Sequence, residues 1–289
     1  MQPPLRVHLC PVGFERDRIL LPVLQQKADL VYVIVREPER DAAHHAEFLM
    51  AALATAGVEV RQERCPYEMY ALLNLFGRLI QAHPGQHVFV NISTGGTIAA
   101  VAGTLAAMMW GAQPYHVEPE RYIDTQRPLA VMEQALRAKD LKAAQALLRD
   151  ELQAHKTATG GAPNLISVGV RTILEIPQYR LETPGEHLLR ALRFLGQRQQ
   201  QGRRTRKKDL IRFLQEHQPQ EFETERVSHG MSEQQKYGVL QSRYLGPLQE
   251  WGYLDAGGVR SSAWLRVTDK GFNALRIFQG LWEVGPAAG

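Results

Sequence analysis

Several large classes of protein leave marks that this sequence lacks. Its 289 residues include two cysteines, Cys10 and Cys65, each in a strand-like stretch. They leave no disulfide framework and no Cys-x-x-Cys metal knuckle to read. A reducing cytoplasm is the simplest compartment for such a chain. The longest apolar run, Ile98 to Trp110, is too short to cross a bilayer and reads as a buried helix. No signal-peptide pattern precedes the first strand-like segment, so no membrane partner is expected. His44-His45 and His116-x-Glu118 lack the surroundings of a metal site, so neither metal nor resident cofactor is expected. Two common nucleotide loops are also missing. The first strand ends in Pro11-Val12-Gly13-Phe14 rather than a Gly-x-Gly-x-x-Gly turn, and no Gly-x-x-x-x-Gly-Lys-[Ser/Thr] occurs. Without the lysine of that second loop, triphosphate hydrolysis is not expected.

What is present is a regular alternation of strand and helix signals over the first 120 residues. Strand-like segments fall at 5–11, 29–36, 58–64, 87–91 and 112–118. Helical spacing falls between them, at Asp17 to Lys27, from an Asp41 cap to about Ala56, at Tyr67 to Ala82, and at Thr97 to Trp110. This βαβαβαβαβ order predicts an α/β fold, a doubly wound parallel sheet with right-handed crossovers. Ligands of such sheets sit outside the carboxyl ends of the strands. Residues from about Pro128 to His155 read as one long helix, and 166–177 as one or two extra strands. The readings divide the chain at 1–125, 126–183 and 184–289.

Charge is unevenly divided. Lys and Arg number 18 against 19 Asp and Glu over residues 1–184, and 16 against 10 over 185–280. A basic second part suits a polyanion, although a solvated basic surface is the plain alternative. Its element order is three helices (186–199, 205–216, 233–251), a hairpin ending in WLRV (264–267), and a last helix from Thr268. That is the order of a winged helix-turn-helix. Such proteins lay the third helix in the major groove. Arg203, Arg204, Arg206, Lys207 and Lys208, with Lys236, Gln241 and Arg243 on the third helix and Arg260 in the hairpin, are the candidate contacts to double-stranded DNA.

The stretch Asn91-Ile92-Ser93-Thr94-Gly95-Gly96-Thr97 runs from the fourth strand into an apolar helix. A strand-to-helix turn presents free backbone N–H groups and the positive end of a helix dipole. Glycines let an anion approach, and hydroxyls add neutral donors, so the stretch suits a phosphate or ribose. A tight turn closing a capped helix is the plain alternative. This turn, with the first-strand loop Val12-Gly13-Phe14-Glu15-Arg16, resembles the CARF domain, the Rossmann-like sensor of CRISPR-associated proteins. The whole chain resembles the CARF–winged-helix transcriptional regulators. Pro114 to Glu120 and the Trp251-Gly252-Tyr253-Leu254-Asp255 turn add to the likeness.

The resemblance implies a homodimer that binds a cyclic oligoadenylate across its two-fold axis, with cyclic tetra-adenylate the first candidate ring. Each subunit would offer the same loops to half of a symmetric ligand. Gly13, Phe14, Glu15 and Arg16 would border the ring from one loop. Asn91, Ser93, Thr94, Gly95, Gly96 and Thr97 would hold phosphates and riboses from the other. Many members carry Lys or Arg after Gly-Gly-Thr; here the position is Ile98. The function implied is transcription regulation by a ligand-responsive DNA-binding protein. The rival, also suggested by the family, is a metal-independent ring nuclease with an architectural winged helix. Donors would hold the developing charge while a 2′-hydroxyl attacks its own phosphate. Sequence alone identifies no catalytic residue.

Overall fold

The structure, a computed structural model, describes residues 3–38, 43–123, 126–137, 141–159, 165–177, 181–222, 231–256 and 264–279. The chain forms two compact units, Met1–Leu181 and Glu182–Gly289, each taken by itself below.

In the first unit the strands are β1 (Arg6–Pro11), β2 (Leu30–Arg36), β3 (Glu59–Cys65), β4 (His87–Asn91) and β5 (Gln113–Glu118). The helices between them are α1 (Asp17–Gln25), α2 (Ala43–Thr55), α3 (Met69–Gln81) and α4 (Thr97–Trp110). The Asp41 cap lies outside the described residues. β1 and β2 are buried almost throughout, as their continuous apolar runs require when helices cover both faces of a sheet. The sheet order is β3-β2-β1-β4-β5-β8, with β8 being Thr172–Glu175. All neighbouring pairs are parallel except β5 with β8, which is antiparallel. Thus the expected parallel sheet is found, and the segment read as extra strands supplies an antiparallel edge. The opposite edge, β3, alternates Glu59, Arg61 and Glu63 with their neighbours. Its charges discourage edge-to-edge pairing.

The chain leaves β1 toward β2 on one side and enters β4 on the other. The topological switch point therefore lies between β1 and β4, which is where the two candidate loops meet. Cys10, Val12, Ile19, Val23, Val31, Val33, Leu49 and Leu53 form one apolar core, and Phe89, Tyr115 and Val117 form another. Helices α3 and α4 approach closely because a Cβ on Gly77 would fall 2.7 Å from the Trp110 ring.

The single helix expected over 128–155 is two, α5 (Gln126–Arg137) and α6 (Leu141–Thr159), which pack against each other. Leu136, Leu141 and Leu148 of these helices remain exposed. Short strands β6 (Arg121–Tyr122) and β7 (Ser167–Val168) pair antiparallel.

The second unit contains α7 (Glu186–Gln200), β9 (Thr205–Arg206), α8 (Lys207–His217), α9 (Glu233–Leu240), α10 (Gly246–Glu250), β10 (Leu254–Ala256), β11 (Trp264–Val267) and α11 (Asp269–Ile277). The strands form one antiparallel sheet, β10-β11-β9. Thr205 and Arg206, expected as the start of a helix, are instead a strand paired with Leu265 and Trp264. The Asp209 carboxylate accepts the Arg206 N–H at 2.9 Å and so fixes the start of α8 one residue later. Between α9 and α10 the helix widens to a π-turn over Gln241–Leu245. Pro247 explains the widening. It has no N–H to give to Arg243, and its ring would press on that carbonyl.

Candidate functional site

The turn after β4 is built from inward-facing polar groups. Asn91 is fully buried. Its amide donates to the Arg18 carbonyl at 2.8 Å, and its Oδ1 accepts the Ser93 N–H at 2.9 Å. The Thr94 hydroxyl donates to the Pro11 carbonyl at 2.5 Å. The Ser93 Oγ accepts the N–H of Val117. These three side chains therefore tie the turn to β1, β5 and α1. Gly95 and Gly96 follow with φ of 78° and 87°. No side chain caps α4, so the first amides of the helix keep their hydrogen-bonding capacity for solvent or a ligand. Gly96, Thr97 and Ile98 are exposed, and a Cβ on Gly96 would meet nothing within 4 Å.

The first-strand loop closes against this turn. A Cβ on Gly13 would fall 3.0 Å from the Gly95 nitrogen and 2.3 Å from the Glu15 carboxylate. Phe14 sets its ring edge-on to His45, centroids 5.6 Å apart. The Arg16 guanidinium stacks 3.9 Å from the Phe48 ring centre. Burial lowers the pKa of Arg16, with neighbouring Asp17 opposing. Arg18 is buried, and its Nε donates to the Val117 carbonyl at 2.9 Å. The structure thus brings Gly13, Glu15, Gly95 and the Ser93–Thr97 turn to one place at the β1/β4 switch point. Phe14 and Arg16 rest on α2.

Sequence reading missed two supports of this site. Tyr67 is buried with its hydroxyl directed at the carbonyls of Ile34 (2.8 Å) and Val12 (3.2 Å), and its ring lies under Gly95. A tyrosine placed right after a strand end, just before a helix, was the available signal. The other is a buried relay. The Tyr115 hydroxyl lies 3.2 Å from His8 Nδ1 and 3.9 Å from Cys10 Sγ, and it is hydrogen-bonded to Asn91. Burial, then the neighbouring Arg6 charge, lowers the His8 pKa to about 3, and burial pushes the Cys10 thiol up to about 12. No periodicity reveals such a relay, because its members come from three strands.

His8 gives a pH prediction with a definite sign. Its ordinary value is 6.5 and its folded value about 3. Between these, the unfolded chain takes up a proton that the folded chain refuses, so stability falls as pH falls. The loss reaches about 1.4 kcal/mol per pH unit, or roughly 2 kcal/mol between pH 7 and 5. Urea midpoints at both pH values should fall less steeply in His8→Gln than in the unaltered chain. Equal slopes would reject the assignment.

In the second unit, Arg203, Arg204, Arg206 and Lys208 are exposed. Arg206 and Arg204 lie 4.6 and 5.5 Å from the ring centre of Trp264, which faces Arg206 across the β9–β11 pair. Lys207 is buried, and Lys236 pairs with Glu233 at 3.0 Å. Gln241 and Arg243 project from the exposed side of the π-turn. Arg260 lies outside the described residues. Among the described residues no group of three metal-ligating side chains gathers, and no helix is long and apolar enough to cross a membrane.

The class defined is a Rossmann-like α/β domain with an amide-rich turn at its switch point, joined to a winged helix. Comparison with known proteins gives the same pairing. Residues 6–122 match the family model described as HFX_2341_N-like, N-terminal, and residues 187–279 match the DUF6293 C-terminal winged helix domain. The first match falls within the α/β unit and the second within the winged-helix unit. The chain is 26% identical over 209 residues to the uncharacterized protein MJ1513 of Methanocaldococcus jannaschii, covering 66% of this chain and 56% of that one. It thus spans just over half the length of that relative. Among solved structures, Can2 of Sulfobacillus thermosulfidooxidans in complex with cyclic tetra-adenylate matches at 14% identity and a TM-score of 0.34, over 39% of this chain and 31% of its own. Enterococcus italicus Csm6 bound to cyclic hexa-2′-fluoro-hexa-dAMP matches at 13% and 0.35, over 99% and 82%.

Proposed function

We propose that this chain is a ligand-responsive regulator of transcription. Its N-terminal unit binds a cyclic oligoadenylate as a homodimer, with cyclic tetra-adenylate the first ring to test, and its winged helix holds duplex DNA. The observation that carries the reading is the uncapped start of α4 at the β1/β4 switch point. Its turn is held by Asn91, Ser93 and Thr94 and opens to solvent at Gly96 and Thr97. Fixed amides at a helix start suit a phosphodiester, because no reorganisation is needed to receive the charge. A two-fold ring lets two copies of one turn act together. The exposed cations of the second unit supply a salt-sensitive grip on DNA. Regulation then requires the ring to bind two dimer conformations with different affinity, since only differential binding shifts an equilibrium.

Calorimetry of the full chain with cyclic tetra- and hexa-adenylate, followed by duplex-DNA titrations across salt with and without ring, tests the reading. We expect one ring per two chains, and a DNA affinity that falls with salt and changes with ring. Absence of ring binding, or a flat salt response, would reject it. The rival ring-nuclease reading draws less support, because the Thr94 hydroxyl proton already goes to the Pro11 carbonyl. Linear adenylate products after incubation would reverse that order.

A further inference from the structure

Glu15 stands out among the buried polar groups. It is 8% exposed, and its Oε2 has no hydrogen-bond partner. The rest of the carboxylate folds back onto the backbone amides of Phe14 and Glu15 itself. It presses on Gly13, at the point that the Gly95 nitrogen also borders. The carboxylate thus fills space beside Gly13 that the turn before α4 borders from the other side. A ligand phosphate entering between the two loops would seek the same donors.

We propose that Glu15 is a specificity-determining residue of this site: its carboxylate stands in the place of a ligand phosphate, so a phosphodiester binds only as that carboxylate turns out or becomes neutral. This rests on the ring-binding reading. Only a glycine at residue 13 permits the arrangement, since a side chain there would displace the carboxylate. Charge supports it. Burial raises the Glu15 pKa, and Arg18 on α1 opposes that rise without cancelling it. His116 on β5 interacts with Arg18, Glu118 on β5 with His116, and Asp17 on α1, whose carboxylate accepts the Gly169 N–H, with Arg16. Burial and Arg18 lower the pKa of His116, and Glu118 opposes.

The sign follows. If a ring binds the neutral form of Glu15 better, affinity rises as pH falls through the raised titration. Above that titration it weakens by up to about tenfold per pH unit. Phosphodiesters stay ionised throughout, and His116 takes up its proton in variant and unaltered chain alike, so the ratio between the two isolates Glu15. The experiment is calorimetry of the full chain and of Glu15→Gln with cyclic tetra-adenylate and cyclic hexa-adenylate, from pH 5.5 to 8.5. We expect the variant to bind more tightly at pH 8.5, with a flatter profile, and the gap between the two to narrow as pH falls. Equal profiles, or weaker binding by the variant at every pH, would show that Glu15 merely braces its loop and would overturn the proposal while leaving ring binding intact. If neither ring binds either protein at any pH, the ring-binding reading falls and this one with it. Thermal melts without ligand add a second readout. Glu15→Gln should melt higher at pH 8, with the gap narrowing toward pH 5, because a carboxyl with a raised pKa disfavours the folded state only while it is ionised.

Discussion

Gly95→Ala should lower the stability of the N-terminal unit by roughly 2–5 kcal/mol and remove ring binding with it. Two penalties act together. At a φ of 78°, an alanine pays the left-handed backbone cost of about 1–2 kcal/mol. Its methyl would also lie 2.5 Å from Pro11 Cβ and 3.0 Å from the Tyr67 ring, overlaps that a packed core relieves only by shifting, at typically about 1–3 kcal/mol. Pro11 closes β1, and Tyr67 braces the carbonyls of Val12 and Ile34. The strain therefore spreads into both loops of the site. Gly96→Ala is the control for the packing part alone, since its ψ of 174° puts it in a backbone region that is itself nearly exclusive to glycine. It has a similar φ of 87° but nothing within 4 Å of the new methyl, so it should lose only the backbone part. Urea unfolding of both variants, followed by ring titration, checks the difference. Equal losses would mean that the turn is not packed as described.

Replacing Arg203, Arg204, Arg206 and Lys208 together by alanine should weaken duplex-DNA binding by a factor on the order of 10² to 10³ near physiological salt. Each cation that neutralises a phosphate releases condensed counterions, so the slope of log affinity against log salt should become shallower by roughly 3 to 4. All four side chains are exposed. The stacking of Arg204 and Arg206 on Trp264 holds two of them beside the β9–β11 pair, which reduces the entropy lost when they meet phosphates. Folding should be little affected, because the backbone of this segment is fixed by Thr205–Leu265 pairing and by the Asp209 carboxylate. Fluorescence anisotropy at three salt concentrations measures both quantities. An unchanged slope would place the DNA contact elsewhere.

Much of the first unit was legible because its signals are local. Continuous apolar runs in β1 and β2, punctuated by Gly57, Gly85 and Gly111 in the left-handed region, announce buried parallel strands and the ends of turns. Asn91 through Thr97 announced a strand-to-helix turn in the same way. The break between α5 and α6 was not legible, since a helical period continues across a fold-back as it does along a rod. The strand at Thr205–Arg206 was hidden too. Two residues carry no period, and their partners Leu265 and Trp264 lie far along the chain.

The residue pattern by itself determined the fold class, the position of the two loops at strand ends, and the basic character of the winged-helix part. These depend on burial, glycine conformation and charge, which short windows report. Only the tertiary structure decided which way each polar side chain of the site turns. It set Asn91, Ser93 and Thr94 inward to brace the turn, left the helix start at Gly96 and Thr97 open, and placed Glu15 against Gly13. Those choices depend on carbonyls and amides contributed by β1, β5 and α1, whose meeting is fixed by the order of strands in the sheet and by nothing in the spacing of the loop residues.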